Sequence, residues 1–553
     1  MDKIDPAALE ILRQTNFGTV DWVIVICYPM ISLVIGLIVR KYIKNMKDFV
    51  TAGQGLGTCL GIATLTGTEL GLITVMYSAE KGFKSGFSAF HIALAVGIVT
   101  FIVGITGFLI YRLRAMGVLT IPSYYRQRFG RKTQILGGIM MAFAGILNMG
   151  LFLKVGAMFL VGITGMDPTS HALEMVMGFL IALVLLYTCL GGMISVVLSD
   201  YLQFVVLSIG MVVTTVLAVV KLGWNDIFTV VYEVKGTAGF NPMVGESGFG
   251  IEYIVWMCCM GLVGCAVWPT SVARALAADS PETVKKQFTW ASLSYTIRFL
   301  VPYFWGICAF VFIYTQSDAL KHLFVAQDDG EPILNNLYAM PVFLGQILPP
   351  VVIGLISAGM IAAFMSTHDS YLLCWSSVLT EDIVAPLCND KISPKVRVWL
   401  TRMFIVLIGV YVFWWGIFYK GSDDIWDYMA VTGGIYSSGA LALLACGLYW
   451  KRASSTGAVL ALFAGSSAVI GLSPVQNGFG WCLTKLGGLS VELWNFFTYL
   501  PGVTYESQYP GELVLEISAA RVSLFSFSTT FIVLIVGSLL FPDRERRLTS
   551  ESE

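Results

Sequence analysis

Five polar residues stand back to back in the apolar stretch SAGMIAAFMSTHDSYLLCWSS (357–377): Ser366, Thr367, His368, Asp369 and Ser370. On a helix, Ala363, Ser366, Thr367 and Ser370 fall at i, i+3, i+4 and i+7, which is one face. Asp369 sits at the margin of that face, about 60° from Ser366 at about 100° per residue, and His368 points largely elsewhere. The result is a stripe of hydroxyl oxygens edged by a carboxylate. Hydroxyls and backbone carbonyls can replace the water shell of a hard monovalent cation such as sodium, whose single charge tolerates neutral ligands. Ser and Thr in apolar helices commonly bond only their own i−4 carbonyls. An acid in the same turn shifts the balance, because intramembrane acids are costly and usually functional.

Such a site needs a second wall. LGTCLGIATLTGTELGLITVMYSA (56–79) carries Gly57, Gly61, Gly67 and Gly71, several threonines and one acid, Glu69. That pattern predicts an interrupted helix with carbonyls free to bind an ion, tolerated only where the break lines a cavity. MGLVGCAVWP (260–269) repeats the theme with Gly261, Gly264 and Pro269. Two broken spans in corresponding positions of two halves point to a secondary transporter with inverted repeats.

The elements that must hold these residues follow from composition. The chain has 553 residues, 56% hydrophobic and only 12% charged, against roughly 25% charged in soluble domains. It reads as an all-α integral membrane protein. Apolar runs near 21–40, 56–79, 88–111, 134–164, 171–190, 194–220, 250–273, 288–315, 341–372, 397–419, 425–449, 455–473 and 518–541 give about thirteen spans of the length a bilayer requires. Basic residues cluster after odd-numbered spans: Arg40, Lys41, Lys44 and Lys47; Arg112, Arg114, Arg126, Arg128, Arg131 and Lys132; Arg274, Lys285 and Lys286; Lys391, Lys395 and Arg397; Lys451 and Arg452; Arg544, Arg546 and Arg547. The bias places the N-terminus outside and the C-terminus inside a multi-pass cell-membrane protein. The expected organisation is an external segment 1–20, an extra first span and loop 21–48, five-helix repeats at 49–220 and 250–450, two further spans within 451–541 around an external loop 474–517, and a cytoplasmic tail 542–553. The acidic N-terminal segment lacks the basic region of a cleavable signal, so the first span is expected to remain.

Other chemistries are poorly supported. A net charge of −1 offers nothing to nucleic acid. Eleven scattered cysteines show no metal spacing, and Cys258–Cys259 reads as helix packing. GQGLG (53–57) lacks the Gly-Lys-Ser/Thr of a phosphate loop. The four histidines, His91, His171, His322 and His368, form no nucleophile–base pair, so no enzyme is expected. No cofactor is implied.

Five ordered segments carry a family resemblance: FVTAGQGLG (49–57), GVLTIPSYYRQRFG (117–130), GGMISVVLSDYLQF (191–204), GLISAGMIAAFMSTHDSYLLCWSSVLTEDI (354–383) and GLYWKRASSTGAVLALFAG (447–465). Together they resemble the sodium/solute symporter family. The resemblance implies a LeuT-type fold of five plus five inverted helices. It implies one sodium site from carbonyls of Gly67, Leu70 and Ala363 and hydroxyls of Ser366 and Thr367; the helix-face argument reaches the last three independently. It implies a further cation or proton site at Asp200, Asp369 and Ser370, although Asp369 stands where a hydroxyl or small residue is usual. The positions that touch sugar in the family's sugar transporters hold Glu69, Arg298, Ala93, Gly261 and Gly264, so the sugar signature is largely absent.

The solute cavity is expected to be lined by Glu69, Thr74, Trp268, Arg298 and Trp426. Arg298, in LSYTIRFLVPYFWG, lies deep, and its planar guanidinium suits a carboxylate. Either Arg298 binds an anionic solute group, with Glu69 on an amine, or the two pair and shape a cavity for a neutral solute. Lys154 is a second intramembrane cation, expected to partner an acid. The functional expectation is sodium-coupled import of a small organic solute, with proton-coupled symport on the same fold, or a transporter-like sensor, as alternatives. Sodium, the solute and membrane lipid are the expected partners.

Overall fold

The computed structural model describes residues 6–39, 52–168, 170–316, 318–325, 333–419, 425–472 and 514–543, with 475–476, 478 and 503–506. The basic residues expected at 40–47 and 544–547, and most of the loop 474–517, lie outside the described residues. Among the described residues, nine helices are long and apolar enough to cross a membrane, joined by shorter apolar helices at Thr19–Ile31, Ala172–Leu186 and Ser455–Gly471. Among the described residues, Val503–Glu506 pairs with Val514–Ile517 as a two-stranded antiparallel ribbon.

Both expected interruptions are present, each with a local cause. Thr58–Glu69 stops at Leu70 (φ −89°, ψ 60°), and Gly71 (φ −76°, ψ 159°) starts Leu72–Ser85. Ile251–Ala266 stops at Val267, and Pro269 opens Pro269–Ala277. Proline pre-sets the first turn of the new half-helix and pushes the preceding residue into extended backbone; Trp268 accordingly has φ −64° and ψ 127°. A Cβ on Gly71 would lie 2.2 Å from Thr367 Oγ1, so only glycine permits the close approach of Val352–Val378 to the first break.

Two span boundaries differ from expectation. The run 341–372 divides: Ala339–Ile347 is a short helix, and the long helix starts at Val352, after Pro349–Pro350. Helical assignment continues through Ala172–Leu222, without the turn expected at 191–193. Its halves pack against different neighbours. Met177 and Leu185 abut Gly416 and Gly409 of Pro394–Phe418. Asp200, Leu207 and Gly210 meet Ser366, Gly359 and Ile356 of Val352–Val378.

The two ends of the bundle are held differently. At one end Asp21, fully buried in the Thr19–Val39 helix, caps the Val352–Val378 helix. Its Oδ1 accepts from the N–H groups of Val351 at 2.7 Å and Gly354 at 3.0 Å. Val351 needs that hold, because a β-branched residue at φ 73° is sterically disfavoured. Asp21→Ala is expected to cost about 0.5–2 kcal/mol, the usual range for a lost cap, read as a lower thermal midpoint with sodium response retained. At the other end the basic loops converge. Arg114 Nε donates to the Ala278 carbonyl at 2.8 Å, Arg126 pairs with Asp390 at 2.9 Å, and Arg397 pairs with Glu381 at 2.6 Å.

Candidate functional site

The stripe faces the first break. Ser366 (2% exposed), Thr367 (5%) and Ser370 (1%) are buried on Val352–Val378, with Ala363 one turn before. Thr367 Oγ1 donates to the Thr68 carbonyl at 3.4 Å, and Ser366 Oγ donates to Asp200 Oδ1 in a very short contact. Gly67 and Leu70 occupy the end of the first half-helix, and the Gly67 carbonyl accepts from Gln203 Nε2 at 3.1 Å. Hydroxyl and carbonyl oxygens from three helices therefore converge around one unwound turn. His368 turns away, its Nδ1 2.9 Å from the Phe364 carbonyl.

Beside that turn lies a residue that the sequence misplaces. Arg274, counted above among loop cations, is 1% exposed and sits in the second half of the second broken helix. Its Nη2 donates to Thr68 Oγ1 at 2.5 Å and Ser370 Oγ at 2.7 Å, and lies 3.6 Å from Asp200 Oδ2. Thr64 and Thr68 hydroxyls also donate to that oxygen, at 2.5 and 3.0 Å. Ser370 Oγ in turn donates to Asp369 Oδ1 at 3.3 Å. The structure thus gathers Asp200, Asp369 and Ser370, but around a guanidinium. A signal for Arg274 does exist in the sequence: when a span breaks at Pro269, its second half still has to be buried.

A cavity of about 110 Å³ opens next to this cluster, with Glu69, Thr74, Trp268, Arg298, Tyr371 and Trp426 in its wall. All five residues expected to line it are there. Arg298 Nη1 donates to Glu69 Oε2 at 3.2 Å, which settles their pairing in this conformation. Glu69 Oε1 accepts from Thr270 Oγ1 at 2.9 Å and Ser271 Oγ at 2.8 Å, so both carboxylate oxygens are held. Thr74 Oγ1 donates to the Glu69 carbonyl at 3.1 Å, across the break. The guanidinium carbon lies 3.8 Å from the ring centre of Tyr295, within cation–π range. Trp268 Nε1 donates to the Tyr371 hydroxyl at 2.8 Å, and Tyr77, Phe299 and Trp426 pack ring on ring. Asn148, which the sequence reading overlooks, also lines the wall, held by Met429 O at 2.7 Å and Thr432 Oγ1 at 3.0 Å. Lys154 donates to the Tyr419 carbonyl at 3.1 Å.

Two half-broken helices meeting a hydroxyl-lined helix over a polar cavity define a LeuT-type, cation-coupled secondary transporter, and a transporter rather than an enzyme. The profile of the sodium:solute symporter family matches residues 49–465, so the chain belongs to that family. The chain is 24% identical over 473 residues to sodium/proline symporter 2 of Staphylococcus saprophyticus, covering 83% of this chain and 87% of the relative. It is 22% identical over 476 residues to the sodium/proline symporter of Staphylococcus aureus, covering 83% and 86%. A solved sodium-coupled sialic acid symporter, in a substrate-bound outward-open state, superposes with TM-score 0.71 at 19% identity, over 95% of this chain and 98% of that one. MhsT in complex with L-phenylalanine superposes with TM-score 0.50 at 13% identity, over 88% and 98%. The protein is a multi-pass membrane protein of a family that couples a small organic solute to sodium.

Proposed function

We propose that the chain imports a small carboxylate-bearing organic solute together with sodium, by alternating access. The observation that carries this is the Ser366–Thr367 hydroxyl pair set against the Leu70–Gly71 break, directly beside the Glu69–Arg298 cavity. Sodium held by Gly67, Leu70, Ala363, Ser366 and Thr367 ties the Val352–Val378 helix to the broken one. A ligand shifts a conformational equilibrium only by its differential affinity, and this site exists only when the two helices are together. The solute site is formed on the same broken helix, so sodium binding orders it. The end where the basic loops converge is placed in the cytoplasm, with the N-terminus outside. One charge falling through about 100 mV releases about 2.3 kcal/mol, which sustains a solute gradient of about fifty-fold before any sodium gradient is added.

The solute class rests on Arg298. A buried guanidinium over an aromatic face suits bidentate carboxylate recognition, and the proline in the names of the staphylococcal relatives bears a carboxylate. The direct test of sodium coupling is the thermal stability of purified protein in sodium against equal-strength potassium. At a hundred times its dissociation constant, sodium should stabilise the native state by about 2.7 kcal/mol. Ser366→Ala/Thr367→Ala should abolish that difference, on top of a loss of about 1–3 kcal/mol in both salts from the hydrogen bond that Ser366 gives to buried Asp200. Equal stability of the wild type in both salts, tracking pH instead, would overturn sodium coupling in favour of protons.

A further inference from the structure

The helix that carries the hydroxyl stripe holds a second oxygen cluster at its basic end. Regular α-helix gives way there to a π-helical turn over Leu379–Val384. Such a turn re-aims the side chains within it and is frequent at functional positions. Here it turns Asp382 inward, to 0% exposure. Asp382 Oδ1 accepts from Gln134 Nε2 at 3.0 Å and from Ser123 Oγ at 3.3 Å, and Thr120 Oγ1 lies 2.6 Å from Ser123 Oγ. Among the described residues, Asp382 Oδ2 and Gln134 Oε1 have no hydrogen-bond partner, although Gln134 is only 2% exposed. Both orphans are acceptors, and leaving buried acceptors unmade is expensive. An anion cannot satisfy them; a hard cation with oxygen ligands can.

The surroundings fit that assignment. The nearby guanidinium groups are committed elsewhere, Arg126 to Asp390 and Arg397 to Glu381. A cavity of about 500 Å³ at the basic end is lined by Thr120, Ser123 and Gln134 together with the Arg126–Asp390 and Arg397–Glu381 pairs. A narrow pocket of about 30 Å³ joins Thr120 to Arg274 and Ser370. Thr120 therefore stands where the stripe's lower end meets the vestibule, and Asp382 lies beside that junction.

We propose that Asp382, with Gln134, Ser123 and Thr120, forms a second monovalent-cation site that receives sodium after it leaves Ser366 and Thr367. The inference rests on sodium as the coupling ion and adds a station on its route out. The stripe offers neutral oxygens and an acid already paired with Arg274, whereas this site offers a carboxylate without a fixed cation. A carboxylate placed there draws the ion down the narrow pocket, and the adjoining vestibule lets water take it over.

The test is equilibrium binding of radioactive sodium to purified full-length protein. Wild type should give two components. Asp382→Asn should remove one and leave the other, and Ser366→Ala/Thr367→Ala should do the reverse. Gln134→Leu keeps the carboxylate but removes an oxygen, and should weaken the Asp382 component at least tenfold even if Asp382→Asn fails to fold. A wild-type isotherm with a single component, lost in the Ser366/Thr367 variant and untouched by Asp382→Asn or Gln134→Leu, would overturn the release site and leave sodium symport standing. A wild type that binds no sodium at all would overturn both.

Discussion

Arg274→Met is expected to lower the stability of the protein by about 3–5 kcal/mol, the cost of leaving one member of a buried ion pair uncompensated. The substitution keeps an unbranched apolar stem of similar reach, so packing is largely preserved and the loss reports on charge. Asp200 would remain fully buried, with only Thr64, Thr68 and Ser366 hydroxyls to stabilise its carboxylate. Asp200→Asn in the same chain should restore most of the loss, because both charges are then gone. The measurement is a double-mutant cycle on thermal midpoints in potassium, where sodium contributes nothing. Repeating it in sodium separates fold from function. Arg274 bridges Thr68, beside the first break, to Ser370, one turn beyond the Ser366 and Thr367 hydroxyls. Removing it should therefore also weaken the sodium-dependent stabilisation in the rescued double variant. An Arg274→Met protein as stable as wild type would show that the 3.6 Å separation from Asp200 reflects proximity without coupling.

What was legible in the chain, and what was not, follows from the kind of signal each feature leaves. Gly71 and Pro269 mark the two breaks because glycine and proline act on the backbone locally. The stripe at 363–370 is legible because a helical period converts spacing into a face. Arg274 is marked only indirectly, through the break at Pro269. Near the end of an apolar run a cation looks like a loop residue, and only the placement of Pro269–Ala277 against the first half-helix shows it to be interior. The start of the stripe's helix was misjudged by about ten residues, since Pro349–Pro350 sits inside a run that hydropathy alone cannot divide. Asp382 was invisible for a different reason. A π-helical turn changes the facing of every residue in it, so a period of 3.6 assigns the wrong side. The pairing of Glu69 with Arg298 joins residues 229 positions apart, and no local pattern encodes it.

That pair yields the sharpest functional prediction. In this conformation each Glu69 oxygen has a donor, and Arg298 supplies one of them. A solute bearing a carboxylate and an ammonium can exchange the one internal pair for two external ones, carboxylate on Arg298 and ammonium on Glu69. A neutral solute has no such exchange to make and would leave the pair closed as a wall of the cavity. Glu69→Gln/Arg298→Gln separates the two, since it retains hydrogen-bonding groups of similar shape at both positions and removes both charges. For a carboxylate-bearing solute, sodium-dependent uptake into proteoliposomes should fall by at least about thirtyfold, in keeping with the 2–5 kcal/mol, about thirty- to several-thousand-fold, lost when a desolvated charge pair is broken. The single variants should be worse folded than the double, because each leaves one charge unpaired beside Tyr295 and Tyr77. Screening a zwitterion such as proline against its neutral N-acetyl amide, blocked at both ends, by sodium-dependent thermal shift, identifies the class before the transported solute is known. Uptake or stabilisation that survives in the double variant would assign the pair to cavity shape alone, and would turn the search toward neutral solutes held by Asn148, Trp268 and Trp426.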